Sequence, residues 1–96
     1  MARVERLHLI YFMHFVYFLK SDKNGKIYSG MTSQNPQKRL AEHNYGMNNW
    51  SRQNGTFKLV YFEKYYCKKD ALTREKFYKS GFGRKIRNMI LKMLGR

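Results

Sequence analysis

Cysteine, acidic residues and long apolar runs are all scarce in this chain of 96 residues. The single cysteine, Cys67, excludes an internal disulfide framework and a zinc site built from several cysteines. It also suits a reducing compartment, and we expect a cytoplasmic protein. The longest apolar run, residues 7–19, contains two histidines and is shorter than the roughly 20 residues that cross a bilayer. No small-residue cleavage site follows it, so we expect neither a signal peptide nor a membrane anchor.

The shortage of acidic side chains leaves a large positive charge. Six Asp and Glu residues stand against 20 Lys and Arg residues, which gives a formal charge of +14. Such an excess indicates a polyanionic partner, most often nucleic acid, or an anionic membrane surface. Because 17% of the residues are aromatic and apolar residues are interleaved with the basic ones, we expect a folded domain with this charge on its surface.

Turn signals and apolar patterns divide the chain into strands and helices. Strands are predicted over residues 15–19, 26–31 and 57–63, and helices over residues 36–44, 68–79 and 84–94. A turn at Asn24-Gly25 joins the first two strands, and Asn35 before Pro36 is a helix N-cap signal. In the last helix one apolar stripe is predicted to face the core, formed by Ile86, Met89, Ile90, Met93 and Leu94.

The order of these elements predicts a small α/β domain. It combines a three-stranded, mainly antiparallel sheet with three flanking helices. Residues 1–13 are predicted to be an N-terminal extension, and residues 14–96 a single domain.

Two tyrosines, Tyr17 and Tyr28, stand on the two arms of the predicted hairpin. A two-residue turn pairs Tyr17 with Thr32 and places both tyrosines on one face of the sheet, and a shift of two residues keeps them there. Two phenols on one face can orient a water molecule and a phosphate, or one can accept a proton if its pKa is lowered. Tyrosine is also favoured in strands for packing alone, so both interpretations stay open.

Arg39 and His43 are four residues apart, and therefore lie on one face of the first predicted helix. Arginine can stabilise charge that develops on a phosphoryl group, and histidine can exchange a proton near neutral pH. The same pair is also ordinary for a solvated helix surface.

Glu75 lies among apolar neighbours of its predicted helix, Ala71, Leu72 and Tyr78, which places a carboxylate on the inward side. A buried carboxylate is rare without a partner. The partner is either Lys79, four residues further on, or a hard divalent cation, since magnesium takes only one or two protein carboxylates.

In combination these residues resemble the GIY-YIG nuclease family. The Gly-Ile-Tyr motif is matched by Phe15-Val16-Tyr17, and the Tyr-Ile-Gly motif by Tyr28-Ser29-Gly30. Residues 39–43 look like the arginine helix of the family, and residues 71–75 like its glutamate helix. The resemblance extends over roughly residues 14–94 and is greatest to the small standalone bacterial members.

The resemblance implies a single-metal phosphodiesterase, that is, an endonuclease or nickase that hydrolyses DNA. By this analogy Glu75 holds one Mg²⁺ or Mn²⁺ ion, and Tyr28 orients or deprotonates the attacking water. Tyr17 helps to position that water, and Arg39 neutralises charge in the transition state. His43 occupies a position where members of the family carry histidine or tyrosine.

Two departures from the family pattern keep a second function open. Phe15 replaces the first glycine, and Ser29 replaces the isoleucine of the second motif. Asn88 is the candidate for an asparagine that many members use to bind phosphate. A catalytically degenerate module that binds nucleic acid on the same fold is therefore the alternative.

The expected partner is DNA, with branched or nicked DNA and RNA as open alternatives, and no membrane is expected. The expected state is a monomer or a weak dimer. Side chains predicted to contact the nucleic acid are Lys26, Lys38, Arg52, Lys79, Arg84, Lys85 and Asn88.

Overall fold

The computed structural model describes residues 13–45 and 54–96. Within these two stretches, strands β1, β2 and β3 comprise His14–Ser21, Ile27–Thr32 and Phe57–Tyr65. Helices α1, α2 and α3 comprise Pro36–Tyr45, Lys68–Lys79 and Gly81–Met93. The predicted α/β class, the antiparallel three-stranded sheet and the three helices are confirmed. Residues 1–12 of the predicted extension, and the predicted binding residue Arg52, lie outside the described residues.

The sheet has the order β2-β1-β3, with both neighbouring pairs antiparallel. Tyr17 pairs with Gly30 and Leu19 with Tyr28, so the hairpin register predicted from a two-residue turn was wrong by two residues. The turn is wider because the Ser21 amide donates to the Lys26 carbonyl at 2.9 Å, which leaves four residues in the loop. Since the shift is even, Tyr17 and Tyr28 lie on the same face, as predicted.

Helices cover both faces of this sheet. On one face, α2 and α3 pack over the core cluster of Val16, Phe18, Val60, Ala71, Tyr78 and Leu91. On the other face, Leu40 of α1 packs against a smaller cluster of Tyr17, Leu19 and Phe57. Successive side chains of β1 point to opposite faces of the sheet, so the strand contributes to both clusters. Both faces of β1 are therefore buried, which explains its near-continuous apolar sequence.

The first and third helices begin at side-chain caps. The Asn35 carboxamide oxygen accepts from the Gln37 amide at 2.8 Å, as the Asn-Pro signal predicts. The Ser80 hydroxyl accepts from the Gly83 amide at 3.1 Å, so α3 begins at Gly81 rather than at the predicted Arg84. The Gly83 position approaches the Phe77 carbonyl so closely that a Cβ atom would lie 1.7 Å from it. Glycine therefore permits the sharp connection between α2 and α3.

The stripe predicted to bury α3 was partly wrong. Leu91 is buried and Ile86 and Ile90 are half-buried, whereas Met89 is 57% exposed and Met93 is 84% exposed. The helix is rotated toward Leu91 because its close contact with α2 runs through Gly83, on the same side as Leu91. In the described part of the chain, no helix is long and apolar enough to cross a membrane.

A carboxylate outside every predicted site joins β3 to α2. Glu63 accepts hydrogen bonds from the hydroxyls of Tyr61 at 2.6 Å, of Tyr65 at 2.5 Å and of Tyr78. The Arg74 guanidinium donates to the same carboxylate at 3.2 Å and to the Tyr78 hydroxyl at 2.8 Å. Burial alone opposes ionisation of Glu63, but these donors outweigh it and lower the pKa of its carboxyl. The negative side chain is only 14% exposed and is stabilised by its partners.

Candidate active site

The glycine of the second tyrosine motif makes room for the first motif's tyrosine. Gly30 lies directly opposite Tyr17 in the sheet, and a Cβ atom at Gly30 would lie 2.6 Å from the Tyr17 hydroxyl oxygen. The Tyr17 ring therefore crosses β2 over Gly30, at a ring-centroid distance of 6.4 Å from Tyr28. Tyr17 is 1% exposed, so its ring cannot turn away from a larger residue.

The Arg39 side chain extends from α1 toward the Tyr17 hydroxyl. Its guanidinium donates toward the Tyr17 hydroxyl, and this contact is the main reason that the pKa of Arg39 is raised. It also contacts the Glu42 carboxylate at 3.3 Å, in an ion pair whose side chains are both more than two-fifths exposed. Arg39 is therefore a fixed positive charge at the edge of the tyrosine pair, with one face open to solvent.

The Tyr17 hydroxyl keeps its proton in this environment. Burial raises the pKa of Tyr17, the Arg39 hydrogen bond opposes that shift, and the charges of Tyr28 and Glu75 add to it. A raised pKa suits the Tyr17 hydroxyl to donate a hydrogen bond rather than to accept a proton.

His43 lies between the tyrosines and the core. Its ring is 5.2 Å from the Tyr28 ring and 5.0 Å from the Phe57 ring, measured between centroids. Burial lowers the pKa of His43, and the positive charge of Arg39 lowers it further. The imidazole is consequently neutral at pH 7 and has a nitrogen lone pair with which to accept a proton.

Glu75 lies on α2, which packs on the opposite face of the sheet from Tyr17 and Tyr28. Its carboxylate is half-buried, with 21% of the side chain exposed, and lies 3.5 Å from the Lys79 ammonium nitrogen. It is also close enough for its charge to act on the Tyr17 phenol. Both partners considered for Glu75 from the sequence are thus compatible with its position, since the lysine contact is long.

A metal ion of the kind that the family pattern implies would have Glu75 as its carboxylate donor. Among residues 13–45 and 54–96, no three His, Cys, Asp or Glu side chains are grouped as a metal site. One carboxylate is nevertheless enough for Mg²⁺, which keeps several waters and completes its coordination with substrate phosphates. The donor set therefore fits a substrate-assisted magnesium site and does not fit zinc.

A basic groove of about 630 Å³ follows the outer edge of β2 and reaches the site at Tyr28. The lining residues that can bind an anion are Lys26, Lys79, Arg84, Arg87 and Asn88. Four of the seven residues predicted to contact nucleic acid thus meet in one groove. The other two that the structure describes, Lys38 and Lys85, are exposed but do not line it.

Arg87 was not among the residues predicted to bind nucleic acid. Arg87 follows Arg84 by three residues on one helix, so the two lie on the same face, and this spacing could have predicted that Arg87 binds nucleic acid as well. Ser29 also lines this groove, and its buried hydroxyl has no hydrogen-bond partner among the described residues. The serine at the isoleucine position of the motif is therefore not stabilised by a hydrogen bond from its hydroxyl to any described residue.

Several known proteins are similar to this chain. The family model for the GIY-YIG catalytic domain matches residues 13–88. A UPF0213 protein of Clostridium perfringens is 41% identical over 68 residues, which cover 70% of this chain and 71% of that protein. The solution NMR structure of a UPF0213 protein from Bacillus halodurans matches with a TM-score of 0.48 and 28% identity, over 81% of this chain and 82% of that one. The chain is a member of the GIY-YIG domain family, whose members are usually nucleases.

Proposed function

We propose that this protein is a divalent-metal-dependent endonuclease or nickase that hydrolyses phosphodiester bonds in DNA. The observation that carries the proposal is that Tyr17, Tyr28 and Arg39 meet on one face of the sheet, while the charge of Glu75, on α2 of the other face, acts on the Tyr17 phenol. The adjoining groove has no acidic residue among its described lining. Family membership supports it, since GIY-YIG domains are usually nucleases.

Each side chain of the cluster has a distinct chemical task in this proposal. Tyr17 donates a hydrogen bond from a protonated phenol and so positions the attacking water, while Tyr28 orients or deprotonates that water. Arg39 stabilises negative charge on the phosphoryl oxygens, and neutral His43 beside Tyr28 is the acceptor for a proton. A cation bound by Glu75 supplies Lewis-acid polarisation of the phosphate.

One observation favours the alternative, a module that binds nucleic acid without cutting it. The Lys79 ammonium already neutralises Glu75 at 3.5 Å, so this carboxylate does not need a metal ion to be stable. The alternative predicts salt-sensitive binding that EDTA does not affect, and no turnover.

Incubation of the wild-type protein with labelled DNA tests the proposal. Nicked, branched and linear duplexes are compared in Mg²⁺, in Mn²⁺ and in EDTA, and cleavage is followed on denaturing gels. We expect strand cleavage with either metal and none in EDTA, because only the metal-bound site can stabilise the developing phosphoryl charge. Absence of cleavage from every substrate, or equal cleavage in EDTA, contradicts the proposal.

A further inference from the structure

We propose that the groove between β2 and α3 is a second phosphate-binding site, which holds the phosphate adjacent to the scissile one on the same nucleic-acid strand. That the phosphate next to the one in the groove is the scissile phosphate rests on the proposed function. The binding of a phosphate in the groove itself rests on the contacts and charges described below.

The groove gathers positive charge from three separate elements. Lys26 comes from the hairpin before β2, Lys79 from the end of α2, and Arg84 and Arg87 from α3. None of the described residues that line it is acidic. Lys79 contacts Glu75, whereas Lys26, Arg84 and Arg87 have no acidic partner among the described ion pairs. Three neighbouring cations without a carboxylate are suited to an external anion.

The two arginines of α3 are three residues apart and therefore adjacent on the helix surface. Burial lowers the pKa of Arg87, and the neighbouring positive charge of Arg84 lowers it further. The two neighbouring positive charges repel each other, and an anion bound between or beside them would relieve this repulsion.

Arg87 is also held in a defined orientation. Its Nε and Nη2 atoms both donate to the Asn88 carboxamide oxygen, each at 3.2 Å. The remaining guanidinium donors are left in a planar fork, which matches the oxygens of a phosphate better than a mobile ammonium group does.

Tyr28 and Lys79 connect the groove to the candidate active site. Tyr28 lines the groove and also lies on the face of Tyr17, while Lys79 lines the groove and contacts Glu75 at 3.5 Å. A nucleic-acid strand that crosses the edge of β2 can therefore follow one continuous surface from the face of Tyr17 to Arg87. The volume of about 630 Å³ lies within the range of small-ligand sites and accommodates a phosphate with its sugar.

Binding without metal tests the groove independently of cleavage. A short fluorescein-labelled single-stranded DNA is titrated with protein in EDTA, and anisotropy gives the dissociation constant. We expect Arg84→Gln combined with Arg87→Gln to weaken binding about tenfold or more, because charge-assisted bonds to a phosphate are lost. The matched control is Lys68→Gln combined with Lys69→Gln, which removes equal charge from the exposed start of α2 outside the groove and should weaken binding less than about threefold.

A second measurement needs no variant. Amide NMR spectra of the wild-type protein are recorded during titration with inorganic phosphate at constant ionic strength, and the largest shifts are expected at Lys26, Ser29 and Arg87. Equal loss of affinity in both double variants, or phosphate shifts confined to other surfaces, overturns the proposal. If binding depends on the groove arginines but the protein does not cleave DNA, the phosphate site stands and the proposed nuclease activity is refuted. If the protein cleaves DNA but both double variants lose the same affinity, only the phosphate site is refuted.

Discussion

Glu75→Gln is expected to reduce metal-dependent cleavage of DNA by about a thousandfold or more, since preorganised charge at a transferring phosphoryl group is worth several kcal/mol. Glutamine keeps the shape of the side chain but removes the anionic oxygen that would hold the metal ion. Single-turnover cleavage rates with excess protein measure this loss without a contribution from product release.

Asp70→Asn is the matched control for that experiment. Asp70 is an exposed carboxylate on the same helix, so its replacement removes equal charge away from the tyrosine face and should leave the rate within about threefold. Retention of more than a tenth of the wild-type rate by the Glu75→Gln protein contradicts the assignment. Misfolding is not expected, because the only ion pair described for Glu75 is its long contact with Lys79.

Glu63→Ala is expected to lower the free energy of unfolding by about 3 kcal/mol, a large part of the 5–15 kcal/mol of a typical domain. The change removes the common acceptor of three tyrosine hydroxyls and leaves the positive charge of Arg74 without its carboxylate. Tyr78 is fully buried, so its hydroxyl cannot exchange the lost bond for one to bulk water. Denaturant unfolding followed by circular dichroism measures the loss.

Asp22→Ala provides the comparison, since the described ion pair of the Asp22 side chain is an exposed contact with Lys58 at 3.9 Å, and its loss should cost under about 0.5 kcal/mol. The pH dependence follows the same reasoning. Because the pKa of Glu63 is lower in the folded state, its contribution is complete above the ordinary value of 4.5 and is lost as the pH falls below it. A Glu63→Ala protein should lack this part of the acid-induced loss, and a destabilisation below about 1 kcal/mol at pH 7 contradicts the role given to the network.

The tyrosine network around Glu63 also raises the pKa of its donors. Burial, together with the hydrogen bond to the carboxylate, raises the pKa of both Tyr61 and Tyr65 to about 12. These phenols therefore stay protonated through the neutral range and keep donating to Glu63. The network is thus a stable link between β3 and α2, the helix that also carries Glu75.

Local signals were sufficient to predict much of this fold. The bounds of α2 and the Asn35 cap were read from residues within a few positions of each other. The common face of Tyr17 and Tyr28 required only the parity of strand pairing, which survived an error of two residues in the turn.

The remaining features depend on contacts between distant elements. The rotation of α3 follows from the close approach of Gly83 to α2, which apolar spacing alone does not reveal. Glu63 appeared to be an ordinary end of a strand, because its donor Tyr78 is 15 residues away and Arg74 is 11 away. For the site, the sequence indicated the residue types, while the passage of Tyr17 over Gly30 and the neutral state of His43 required the packed structure.

The central claim is that Glu75 and the tyrosine face form one metal site that acts on a phosphodiester. Its most direct measurement is the position of Mn²⁺ on the isotope-labelled protein bound to a phosphorothioate DNA that resists cleavage, read from paramagnetic broadening of amide signals. We expect broadening centred on Tyr28, Gly30 and Glu75 in the wild-type protein and its loss in Glu75→Gln. Broadening that is absent, centred elsewhere, or unchanged in Glu75→Gln would contradict it.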